Sequence, residues 1–192
     1  MRLSMKPFVF IIFLFIGCSS NKPSAEHVLI NYLLNDIINN GVSIFRFQKD
    51  MHNKSTWDVL LSNHLHEIDE LGALFPGEFK TLLATSSSFN EPNTLLSAKK
   101  IDFSKLNVPN VTISPIQVSN KTSIQNDLIP ELVNSGKDGI FILSNAYSSS
   151  EVHNSKSFDI LVLYLWERNL LNVHYTVELD GNELIIHDRE IF

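Results

Sequence analysis

The sequence predicts an α+β domain in which N-terminal helices pack on a C-terminal antiparallel β meander. Three observations predict it. Apolar residues from Val28 to Ile38 recur at helical spacing, and so do those from Trp57 to Leu71. From Gly139 onward the pattern becomes strand-length apolar runs separated by turn residues.

The first helix is predicted over 25–39. Ser24 suits an N-cap, Glu26 places an acid in the first turn, and Leu29, Ile30, Leu33, Leu34, Ile37 and Ile38 make one apolar face. Gly41 marks its stop. Residues 42–48, VSIFRFQ, read as a short strand or connector. The second helix is predicted over 56–72. Ser55 and Asp58 form an acidic capping box, and Trp57, Leu60, Leu61, Leu65, Ile68 and Leu71 follow at spacings of three and four. A short helix at 77–84 and a Ser-rich loop come next. Between 95 and 118 the alternations Ile101–Phe103, Val111–Ile113 and Ile116–Val118 read as short extended segments. Pro109 and Pro115 hold them to a sheet edge. The stretch from Ser123 to Gly139 suits a short helix with Pro130 in its first turn or at a kink.

Four strands complete the chain, at 139–147, 157–166, 170–179 and 182–191. A polar loop, SSSEVHNSK, separates the first two, and Asp180-Gly181 is a hairpin signal before the last. The run SFDILVLYLW is apolar on both faces, which suits a central strand. In LLNVHYTVEL, Leu171, Val173, Tyr175, Val177 and Leu179 share one face, while Asn172, His174, Thr176 and Glu178 share the other.

Ahead of this domain, residues 1–17 have the layout of a secretory signal: Arg2 and Lys6, then the apolar run Phe8–Ile16, then Gly17. Nine apolar residues span about 14 Å as a helix, against about 30 Å of hydrocarbon. The four residues Phe15-Ile16-Gly17-Cys18 resemble the lipobox of bacterial lipoprotein precursors, with Phe15 where Leu is usual. The resemblance implies cleavage between Gly17 and Cys18, a diacylglyceryl group on the Cys18 thiol, and often an acyl group on the new amine. Two or more chains hold a protein stably where one would not. Cys18 is the only cysteine, so an internal disulfide is excluded and lipidation gives it a use. Ser19 after it points to the outer membrane rather than the inner, if the sorting rule of enteric bacteria applies. Residues 18–24 form a short tether of at most about 25 Å. Residues 25–192 form a single globular domain close to the membrane. The turn S-P-I, the aromatic-rich strands and the final hairpin are also loosely similar to uncharacterised lipoproteins of Bacteroidetes-type bacteria, a resemblance that implies no activity.

Without residues 1–17 the 15 basic residues become 13 against 21 acidic, a net charge of −8. An acidic chain without a basic stripe is a poor nucleic-acid binder and gains nothing from anionic headgroups. The acyl chains are then its tie to the membrane.

The stretch SNHLHEIDE brings His64, His66, Glu67, Asp69 and Glu70 together. On the predicted helix His64 and His66 would point to nearly opposite sides, leaving only the pairs His66–Glu70 and His64–Glu67. They are weak metal candidates and the order is not H-E-x-x-H. No G-x-S-x-G elbow or phosphate-cradling loop is present, so no catalytic residue and no cofactor is assigned. Ser148–Ser150, Glu151 and His153 read as a solvated loop, and His174 and His187 as sheet histidines that could neighbour each other across the last hairpin. The leading expectation is a membrane-anchored, non-catalytic binding or accessory module of the cell envelope, with a protein partner the sequence does not name. The alternatives are an enzyme acting on envelope or extracellular polymer, and a structural envelope lipoprotein.

Overall fold

The computed structural model describes residues 25–39, 54–71, 74, 100–152, 155–180 and 183–192. Gly17 and Cys18, the strand predicted at 42–48 and the helix predicted at 77–84 lie outside them. Helix α1 spans Ala25–Asn39, as its periodicity predicts. Its six apolar positions from Leu29 to Ile38 are all buried.

The second predicted helix is overturned. Residues Trp57–Ser62 form strand β1, and only Ile68–Leu71 turn as the short helix α2. The reason is burial on both faces. Trp57, Val59, Leu60, Leu61 and Ser62 are all buried and only Asp58 is half-buried, so the run WDVLLS is buried almost throughout rather than alternating. A fully buried parallel strand has no period of its own and can mimic helical spacing.

That strand changes the fold class. The predicted arrangement, helices on a C-terminal antiparallel meander, gives way to a mixed sheet whose strands run in the order β2 (Val111–Ile116), β1, β3 (Gly139–Leu143), β5 (Ser155–Trp166), β6 (Asn169–Asp180), β7 (Glu183–Ile191). Strands β2 and β3 flank β1, and both run parallel to it. A parallel connection needs a crossover. Residues Ile124–Leu128 form a π-helical turn that continues into helix α3 (Ile129–Ser135). The Ser123 hydroxyl accepts from the Asn126 N–H at 3.2 Å, Pro130 sits in the first α-helical turn, and Gly136 closes the helix at φ 64°. Strand β2 lies at the edge, where Pro115 is tolerated. The expected alternation at Ile101 and Phe103 is instead a 3-10 turn over Phe103–Lys105, capped by Asp102.

Strands β5 (Ser155–Trp166), β6 (Asn169–Asp180) and β7 (Glu183–Ile191) pair antiparallel, close to their predicted positions. The stretch predicted as a polar loop is strand β4 (Tyr147–Val152) and the start of β5. Strands β3 and β4 lie along the same side of β5. The first pairs with Val162–Leu165 and the second with Ser155–Asp159. Between Leu143↔Val162 and Tyr147↔Asp159 lie three residues on one side and two on the other. Ser144-Asn145-Ala146 therefore carries one extra residue, a bulge between β3 and β4.

Two apolar layers cover the sheet. On one face α1 packs on Val59, Leu61, Phe141, Phe158, Ile160, Val162, Tyr164, Val173, Tyr175 and Val177. On the other, Leu128 and Leu132 pack on Leu60, Ile140, Ile142, Leu161, Leu163 and Leu165. Strand β5 contributes to both, as expected of a central strand. Asp36 fastens α1 to the sheet: its Oδ2 accepts from the Tyr175 hydroxyl at 3.1 Å and from Arg189 at 2.7 Å. At the opposite end, Asp58 N–H donates to Asp138 Oδ2 at 2.8 Å and Asp138 N–H donates to the Asp58 carbonyl at 2.7 Å. Lys137 and Lys54 pair with Asp58 and Asp138 respectively.

Candidate functional site: a histidine between carboxylates on the sheet

Strands β5 and β6 are in register, with Asp159 opposite Thr176 and Leu161 opposite His174. Residues two apart on a strand share a face, so Asp159, His174 and Thr176 emerge together on the face that carries α3. On β7, Glu190 stands opposite His174 and Asp188 opposite Thr176. The ladder thus assembles a polar cluster beside the apolar patch under α3.

His174 Nε2 lies 3.1 Å from Asp159 Oδ1, and its Nδ1 lies 3.7 Å from Glu190 Oε2. Thr176 donates its hydroxyl to the same Asp159 oxygen at 2.8 Å. Asp159 is buried. Burial alone would pull the His174 pKa down, but the hydrogen bond and charge of Asp159, with help from Glu190, outweigh it and raise it above the ordinary value. A buried carboxylate needs such partners to remain ionised. The carboxylates thus favour the protonated imidazole, and with two carboxylates around one ring the cluster is acidic. Such a face attracts cationic groups.

His174 and His187 do not neighbour each other. A register shift between Thr176 and Val177 leaves His187 as the extra residue on β7, where its Nε2 bonds the Glu178 carboxylate. His64 and His66 also depart from expectation, because they continue β1 in extended form rather than sitting on a helix. His64 bridges to Lys100 and its Nδ1 bonds Asn63 Oδ1 at 2.8 Å. His66 bridges to Ser144, is buried, and lies 3.8 Å from Glu70 Oε2. The expected i, i+4 pair thus survives as a long contact, without the helix that suggested it. Among the described residues no group of three or more histidines, cysteines or acids is placed to hold a metal ion. Ser148–Ser150 and Glu151 lie on β4, and His153 lies outside the described residues.

Asp159, Thr176 and Glu190 were not singled out by the sequence. One signal was present: Asp159 is the only acid in the apolar run SFDILVLYLW, and a charge inside a buried strand must find partners. No family model, curated protein or solved structure matches this chain. No helix among the described residues is long and apolar enough to cross a membrane.

Proposed function

We propose that this chain is an exported lipoprotein whose domain, residues 25–192, is a binding or accessory module of the cell envelope. The observation that carries the reading is the run Phe15-Ile16-Gly17-Cys18 at the end of a short apolar segment that follows two basic residues. Lipid on Cys18 would hold the domain within a tether's length of the outer membrane. The acidic, histidine-bearing face of β5–β7 supports a protein partner that presents cationic groups. The test is Cys18→Ser expressed in a lipoprotein-processing host. Palmitate labelling is lost and the protein leaves the membrane fraction; labelling that persists refutes the anchor. The binding half is tested by purifying the tagged lipoprotein from its own host. A stoichiometric partner supports it, and repeated recovery of the abundant protein alone counts against it.

A second reading, an enzyme acting on envelope or extracellular polymer, draws on the pairing of His174 with Asp159. A carboxylate that orients an imidazole is a recurring part of acid–base sites. Release of dye from labelled polymer that disappears in His174→Gln would favour it.

A further inference from the structure

The bulge between β3 and β4 lies where β1 ends. His66 N–H donates to the Leu143 carbonyl at 3.0 Å, and Asn145 N–H donates to the His66 carbonyl at 2.7 Å. The Ser144 hydroxyl mends the interrupted ladder, accepting from Leu161 N–H at 2.9 Å and donating to the Asn145 carbonyl at 2.7 Å. The backbone of the bulge and the Ser144 hydroxyl are therefore well bonded. The side chain of Asn145 is not. Asn145 is 1% exposed, yet neither its Oδ1 nor its Nδ2 has a hydrogen-bond partner among the described residues. His66 is 4% exposed, and its Nε2 likewise has none among them.

An unpaired buried donor or acceptor costs about 1–3 kcal/mol. Three such atoms on two residues joined by one backbone hydrogen bond represent a substantial cost, and an apolar residue at 145 would avoid most of it. The location is equally specific. His66 and Asn145 follow the carboxyl ends of two adjacent parallel strands, where open α/β sheets place their ligands. Bulges recur next to such sites because they re-aim a side chain.

We propose that Asn145 and His66 form a binding site for a small neutral ligand bearing a carboxamide. The amide of Asn145 offers a donor and an acceptor side by side, which a second amide matches with an acceptor and a donor. His66 is suited to a neutral partner: burial, aided by the charge of His64, lowers its pKa against the pull of Glu70, which favours the uncharged ring. With Glu70 3.8 Å from Nδ1, the proton is favoured on that nitrogen, leaving Nε2 to accept from the ligand. The site does not depend on the acylation of Cys18.

The test uses the full chain in detergent with acetamide as the probe. Titration over the millimolar range should shift the side-chain amide signals of Asn145 and the ring signals of His66 saturably. Asn145→Leu should abolish the shift at His66 and raise the melting temperature, because it removes two unpaired atoms at similar volume. Absence of a saturable shift, or a shift at His66 that persists in Asn145→Leu, overturns the proposal. A lower melting temperature for Asn145→Leu overturns it too, since the amide would then already be paired. Should that variant fail to fold, Asn145→Thr, which lacks the amide, must lose the same shift at His66.

Discussion

Gly139 opens β3 against the ring of Tyr164. A Cβ at position 139 would stand 2.9 Å from both Cζ and the hydroxyl oxygen of Tyr164, and closer still to Cε2. Comfortable carbon–carbon contact is about 3.5–4.0 Å, so about 1 Å of relief is needed. The ring cannot supply it. Tyr164 is fully buried and stacked between Phe141, at 4.2 Å, and Trp166, at 5.2 Å. The strand cannot supply it cheaply either, since β3 is held by β1 on one side and β5 on the other. Overpacking of this kind costs about 1–3 kcal/mol, while the lost freedom of the unfolded chain returns about 0.4–1 kcal/mol. Gly139→Ala should therefore lose about 1–2 kcal/mol. For a domain of this size that lowers the melting temperature by about 2–8 °C. Thermal melts of the full chain in detergent, followed by circular dichroism, read the shift. The double variant Gly139→Ala/Tyr164→Leu should cost less than the two single changes added together, because the obstructing ring is gone. An unchanged or raised melting temperature for Gly139→Ala, or strict additivity in the cycle, would refute the packing argument.

Two further outcomes follow from the polar contacts. The raised pKa of His174 means that its stabilising contribution is complete below the unfolded value, about 6.5, and is lost as pH rises through the folded value above it. His66 works in the other window: its pKa is lowered, so it opposes folding as pH falls below about 6.5. Urea melts across pH should show His174→Gln flattening the alkaline limb and His66→Gln the acid limb. The reverse assignment would contradict both geometries. Asp36→Ala should cost about 2–3 kcal/mol in the same assay, at the lower end for a buried pair because Arg189 is 28% exposed. Tyr175→Phe should cost only about 1 kcal/mol, since Asp36 keeps its cation.

Elements with a one-sided environment could be read from sequence, and β5, covered on both faces, could be read from the length of its apolar run. Helix α1 faces a core on one side, and β6 alternates apolar and polar residues because only one of its faces lies under α1. Strand β1 lies between two covered faces and so lost the alternation that would have revealed it. With β1 read as a helix, its parallel partners had nothing to pair with, and the mixed sheet could not be inferred. The same error displaced His64 and His66 from strand to helix. The His174 cluster was half legible: the histidine stood out, but its partners come from β5 and β7 and are brought together by register. Asn145 gave no signal, because a bulge depends on how two strands count against a third.

The anchoring of α1 by Asp36 has a consequence for how the chain is made. The partners of Asp36, Tyr175 and Arg189, lie 139 and 153 residues further along. The anchor of α1 is thus completed by strands made long after it. Contacts so distant make for slow folding, and a chain lacking them exposes surface that promotes aggregation. A product cut short before β6 would keep α1 without its closing layer, and the loss of β6 and β7 would be felt at α1. Synthesis of β6 and β7 is in this way a condition for α1 to settle.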